Sequence, residues 1–192
     1  MTRVEVDANR QTGQGDFSPG DEKMTRFETE RLLVAEWHTL HKEQWPSLDL
    51  AGAVQEILTP NVTACLPASW QGKYSRERAD QWIDDRDGED ATWLVVENTT
   101  QEAIGLLILS GTDEYGHLRL GYMLKESAWG NGYASELISG LVGWCRENRI
   151  RSLTGGVVKT NTASVRVLEK CGFEPRPDDA TNNEQMYSIG FV

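Results

Sequence analysis

The 192-residue sequence predicts an α/β (α+β) fold, a mixed central sheet with helices on both faces. Three observations lead there. In segment 117–124, Leu118, Leu120, Tyr122 and Leu124 alternate with Arg119, Gly121 and Met123, the period of a strand with one buried face. From Tyr133 the apolar residues recur three and four apart, with Leu137, Leu141 and Trp144 in one stripe and Ala134, Ile138, Val142 and Cys145 beside it. Strand-like and helix-like stretches then keep alternating along the chain.

The elements follow in order. Residues 1–23 are polar, contain Gly13, Gly15, Pro19 and Gly20 and lack an apolar period, which predicts a mobile tail before a single domain over 24–192. Phe27–Trp37, with Leu32, Leu33 and Val34, reads as the first strand. Trp45–Leu58 reads as a helix entered through Pro46, and Ser75–Asp85 as a second helix with Ser75 as its N-cap. Trp93–Val96 and Ile104–Leu109 form a hairpin pattern that continues into the strand at 118–124. Beyond the helix that starts near Gly132 come a strand at Leu153–Val158, a helix from Asn161 or Thr162 to Cys171, and a last strand at Met186–Val192. Gly172 sits where a helix end favours a left-handed residue.

Composition narrows the function. No run of about eighteen apolar residues and no charged start with an apolar block is present, so neither a membrane span nor a signal peptide is expected. Cys65, Cys145 and Cys171 are an odd number at wide spacing, which fits reduced thiols, a cytoplasmic location and no metal site. His38 and His41 share a helical face without further ligands nearby. A net charge of −11 argues against a nucleic-acid partner and is compatible with a cationic substrate. The charge is uneven: residues 117–170 hold Arg119, Lys125, Arg146, Arg149, Arg151, Lys159, Arg166 and Lys170 against Glu126, Glu136, Glu147 and Glu169, leaving the acids concentrated elsewhere.

The turn between strand and helix, Ser127-Ala128-Trp129-Gly130-Asn131-Gly132, carries the sharpest chemical signal. The first N–H groups of a helix lack intrahelical partners and carry the positive end of its dipole, and glycines let a ligand approach the main chain, so the turn suits a phosphate or pyrophosphate. A nicotinamide-type fingerprint is incomplete here. Ser135 stands where a third glycine or alanine belongs, and Lys159 where an acid would meet the ribose.

Five stretches in sequence order resemble the GNAT superfamily of acetyl-CoA-dependent N-acetyltransferases, in its RimJ/RimL-like branch: Thr29–Leu33, ILTPNVTACLP from Ile57, RADQWIDDR from Arg78, AWGNGYASE from Ala128 and NTASVRVLEKCGF from Asn161. The resemblance implies acetyl-CoA between the strand at 118–124 and that at 153–158, splayed apart. It places the pyrophosphate on Gly130, Asn131, Gly132, Tyr133 and Ala134, with Trp129 adjoining. Main-chain groups of Met123 and Leu124 would face the pantetheine arm, and Asn161 and Ser164 would line the cleft. Many relatives carry a tyrosine as thiolate acid where this chain has Leu168. Ser164 matches a branch pattern near the sulfur and is the candidate to protonate the thiolate.

The implied acceptor is a primary amine, on a peptide N-terminus or a small cationic molecule, with Glu97, Glu114 and Glu184 as candidate bases and Trp45, Trp70 and Tyr74 as candidate walls. A homodimer is compatible with the sequence. The competing reading is a non-catalytic acetyl-CoA-binding regulatory module.

Overall fold

The computed structural model describes residues 25–43, 45, 47–89, 91–111, 116–176 and 183–191. The expected tail at 1–23, Pro46 and Glu114 lie outside the described residues.

The chain opens with a hairpin, β1 (Arg26–Glu28) and β2 (Leu32–Glu36), then α1 (Trp37–Glu43), α2 (Leu50–Ile57), α3 (Pro60–Thr63) and α4 (Arg76–Asp87). A meander follows: β3 (Ala91–Glu97), β4 (Glu102–Ser110) and β5 (His117–Leu124). The chain ends with α5 (Tyr133–Glu147), β6 (Ser152–Val158), α6 (Thr162–Lys170), β7 (Glu174–Pro175) and β8 (Glu184–Gly190). These strands form one sheet in the order β1-β2-β3-β4-β5-β6-β8-β7. Only β5 and β6 pair in parallel among the described residues, and this excludes the parallel dinucleotide-binding sheet.

Several boundaries differ from the sequence expectation. The first strand is two, because Thr29 N–H bonds back to Leu32 O at 2.8 Å and folds the segment into a hairpin. Trp37 leaves the strand and starts α1, where it is buried. The helix expected from Trp45 begins at Leu50, because Asp49 caps it by accepting from Gly52 N–H. Ser75 caps α4 as expected, accepting from Arg78 N–H, and Gly172 ends α6 at φ +88°.

Each sheet face has its own core. Alternation along β4 sends Leu107 and Leu109 under α5 and α6, and Leu106 and Ile108 under α1, α2 and α4. The central strands β3 and β4 are thus buried on both sides and read as continuous apolar runs. Towards β6 the second face loses its cover, and Arg119, Gly121 and Gly156 are exposed.

Candidate active site

The pairing of β5 with β6 is short. His117, Leu118 and Arg119 face Ser152, Leu153 and Thr154, and the pairing stops there, although β5 runs on to Leu124 and β6 to Val158. Beyond that rung β6 stays paired to β8 and β5 to β4, so the sheet divides between them. Lys125 N–H bonds Ile104 O at 2.8 Å on the β4 side, and Gly116 O accepts from Arg151 N–H at 2.9 Å on the β6 side. Antiparallel alternation then directs the main-chain groups of Met123 to β4 and those of Tyr122 and Leu124 into the gap. This corrects the expectation for Met123. Its backbone is engaged by the sheet, and its side chain is buried under the α1–α4 layer. Leu124 keeps its N–H for the gap, while its carbonyl accepts from Trp129 Nε1 at 2.8 Å.

That indole bond fixes the turn after β5. Trp129 remains half exposed, and Asn131 Nδ2 folds back on Trp129 O at 3.1 Å. Gly130 and Gly132 adopt φ +75° and +82°, and a Cβ on Gly130 would meet nothing within 4 Å, so the turn is open on its outer side. Gly132 is the N-cap of α5 and supplies no side-chain bond. The first N–H groups at Tyr133 and Ala134 are therefore left to a ligand or water.

Glu136, in the first turn of α5, would weaken an anion site if free. It is held instead by Thr29 Oγ1 at 2.6 Å, by Arg31 N–H at 2.8 Å and by Arg31 Nε at 2.7 Å. Burial pushes its pKa up, but the bonds from Thr29 and Arg31 outweigh burial and hold it below the usual carboxylate range. Arg31 also donates from Nη1 to Asn131 O at 3.1 Å and lies 4.3 Å from the Tyr133 ring centre. A shallow groove of about 610 Å³ runs from Gly132 past Arg31, Ser135 and Ser139 to Lys170. An uncapped helix start, two left-handed glycines and flanking cations fit the pyrophosphate of a coenzyme, and the division between β5 and β6 fits its extended arm.

Across the gap, Asn161 caps α6 by accepting from Ser164 N–H at 3.2 Å. Its side-chain oxygen is thereby engaged. Ser164 is half buried, and its side chain lies close enough to that of Tyr122 from β5 to act on the phenol. Burial raises the Tyr122 phenol, against the smaller lowering effect of Ser164, so it stays protonated at neutral pH. Strict alternation assigns Tyr122 to the core face, so nothing in the sequence signals that its phenol comes beside Ser164. Leu168 is indeed core, 1% exposed.

The candidate bases separate. Glu97 is buried and accepts from Thr100 N–H at 2.7 Å, which closes the β3–β4 turn, and its hydrogen bonds with Thr100 lead those holding it below the usual range. The structure gives it a turn-closing place. Glu184, at the start of β8, lies over the divided part of β6, with Oε2 3.5 Å from where a Gly156 Cβ would stand. Trp70 and Tyr74 serve packing: Tyr74 Oη donates to Trp70 O at 2.9 Å, and Arg86 covers the Trp70 ring at 4.7 Å. Trp45 is partly buried against the same core. His38 Nε2 sits 2.8 Å from Asp87, and no group of three metal-ligating side chains occurs among the described residues. All three cysteines are free, and burial pushes the Cys145 thiol up to about 12.

Comparison with known proteins agrees with this geometry. A family profile described as an acetyltransferase (GNAT) domain matches residues 40–174. The chain belongs to the GNAT acetyltransferase family. It is 32% identical over 100 residues to the uncharacterized N-acetyltransferase YoaA of Bacillus subtilis (strain 168), a match covering 51% of this chain. The matched part spans only 55% of that relative's length.

Among solved structures, a GNAT-family acetyltransferase from Bacillus anthracis superposes with a TM-score of 0.69 at 19% identity, covering 86% of this chain and 98% of the other. A ribosomal-protein-alanine acetyltransferase from Vibrio fischeri does so with 0.55 at 16% identity, covering 86% and 96%. At such identities the likeness concerns the fold. No described helix is long and apolar enough to cross a membrane.

Proposed function

We propose that the chain is an N-acetyltransferase of the RimJ/RimL-like branch that moves the acetyl group of acetyl-CoA to a primary amine by direct attack. The observation that carries this is the division of the sheet after Arg119 and Thr154, next to the uncapped start of α5. Bound acetyl-CoA supplies an activated acetyl group. The residues around it have distinct tasks. Gly130, Asn131, Gly132, Tyr133 and Ala134 hold the pyrophosphate by main-chain N–H groups, with Arg31 and Lys170 alongside and Trp129 shielding the turn. Tyr122 and Leu124 would offer main-chain groups to the pantetheine arm, and an N–H of this edge would stabilise the charge that develops on the thioester oxygen. Ser164 holds the proton needed at the departing sulfur, and Tyr122 positions and replenishes it. Glu184 receives the proton of the attacking amine, directly or through water.

Acceptor chemistry favours an α-amine. At a pKa of about 7.7 to 8.0 it is partly neutral at pH 7.5, whereas a lysine amine at about 10.4 would cost roughly 4 kcal/mol to deprotonate. Vibrio fischeri ribosomal-protein-alanine acetyltransferase, by its name, acts on a protein alanine. A peptide or amino-acid α-amine is therefore our preferred acceptor class. We further assign residues 24–192 to one domain, a cytoplasmic location and, as a property for light scattering, a homodimer.

The test is release of free thiol from acetyl-CoA over a panel of α-amines, lysine-like amines and polyamines. Turnover of α-amines that drops with Ser164→Ala supports the assignment. Binding of acetyl-CoA without turnover of any amine would favour the regulatory module instead.

A further inference from the structure

A second groove, of about 700 Å³, opens on the bare sheet face between β5, β6 and β8. Its lining among the described residues includes His117, Arg119, Thr154, Arg176 and Met186 and no Asp or Glu, in a chain with 30 acidic against 19 basic residues. Arg119 stands in a cross-strand row between Ser110 and Thr154, with Ser188 next and Glu174 at the far end, so its two immediate cross-strand partners carry hydroxyls and not carboxylates. Arg119 and Arg176 are both exposed. His117 Nδ1 lies 2.6 Å from Ser152 Oγ at the groove's far end.

Position gives the groove its meaning. The Arg119–Thr154 rung is the last before β5 and β6 divide. Glu184 lies over Gly156, two residues farther along β6, or about 7 Å at the rise of a strand. A ligand with its amine at Glu184 would extend any group a few bonds away towards Arg119 and Arg176.

We propose that this groove binds an anionic group on the acceptor: the amine that is acetylated also carries a carboxylate or phosphate, held by Arg119 and Arg176. The inference rests on the acetyl-transfer reading above and narrows its substrate class to amino acids or acidic peptides. It departs from the net charge of the chain, which alone suggests a cationic acceptor. Polyamines and aminoglycosides would meet two guanidinium groups beside the site of attack. Arginine suits the task because its planar donors pair with either carboxylate or phosphate oxygens.

The experiment compares thiol release with matched acceptors: alanylglutamate against alanylglutamine amide, O-phosphoserine amide against serine amide, and spermidine as the cationic control. The expected result is a kcat/KM preference of about tenfold or more for one anionic member over its neutral partner, with the carboxylate and phosphate arms identifying which anion is held. Arg119→Gln and Arg176→Gln should each bring that ratio to about twofold or less. A wild-type preference for the neutral members or spermidine, or a ratio that survives both substitutions, overturns the proposal.

If acetyl-CoA binds and no amine turns over, the transferase reading fails separately. Calorimetry with N-acetylalanylglutamate then decides the groove: binding weakened about tenfold by Arg119→Gln sustains it, and no binding at millimolar concentration overturns it. Both arginines are exposed, and thermal unfolding confirms that the variants fold.

Discussion

Helices α5 and α6 flank the same gap, yet their N-termini are finished differently. At α6 the Asn161 side chain accepts from Ser164 N–H, as Asp49, Thr59 and Ser75 do for α2, α3 and α4. At α5 the capping residue is Gly132, left-handed and without a side-chain bond. A helix start closed by its own side chain contributes to stability; one left open is available to a ligand. The surroundings sharpen the contrast. Around α5 the acidic Glu136 is neutralised by Arg31, while at α6 the half-buried side of the first turn carries the hydroxyl of Ser164. In the proposed mechanism one terminus meets a charge and the other handles a proton.

The difference can be broken most severely at Gly132. A valine there would face φ +82°, a region costing an L-residue about 1 to 2 kcal/mol, and would project into the anion site. Gly132→Val should lower Tm by a few degrees and abolish the stabilisation by acetyl-CoA, as read by thermal unfolding with and without the ligand.

At the other terminus the effect should fall on rate. Ser164→Ala is expected to lower kcat by about a hundredfold while leaving acetyl-CoA binding within about twofold, and Tyr122→Phe should lower it by about tenfold. Steady-state kinetics over pH 6 to 9 checks both. A Tyr122→Phe enzyme with wild-type kcat would remove the phenol from the proton path.

Asn161→Ala should lose about 1 kcal/mol, a fall in Tm of about 2 to 4 °C, with the acetyl-CoA shift retained, and Asn161→Asp should recover most of it.

The smallest effect concerns Glu136. A carboxyl held below its ordinary pKa stabilises the fold above the unfolded-state value of about 4.3 and loses that contribution as pH falls through the lower folded-state value. The Tm gap between wild type and Glu136→Gln should therefore be widest near neutrality and close as the pH drops below about 4.

These two termini also show what a sequence discloses. The period change at Tyr133, the paired glycines before it and the Asn161–Ser164 spacing are local patterns, so both helix starts were legible. So were Ser75 as a cap and Gly172 as a terminator. Asp49 was overlooked because Pro46 offers an equally good start, and α1 was hidden because its first residue, Trp37, continues an apolar run. The interactions that define the site's chemistry are long-range. Arg31 and Glu136 meet across 105 residues, and Tyr122 reaches Ser164 from another element. Which backbone groups of β5 face the gap depends on its register with β4, and this moved the expectation from Met123 to Tyr122. Glu97 and Glu184 look alike in sequence; a turn bond at Thr100 and an open strand at Gly156 distinguish them.

The most direct measurement is thermal unfolding of the wild-type chain with acetyl-CoA, with NADH as control and Gly132→Val beside it. At a hundredfold excess over Kd, binding should add about 2.7 kcal/mol and raise Tm by about 5 to 10 °C in the wild type alone, with no response to NADH. No shift with acetyl-CoA, or an equal shift in Gly132→Val, would contradict the assignment of the open α5 terminus as the cofactor site.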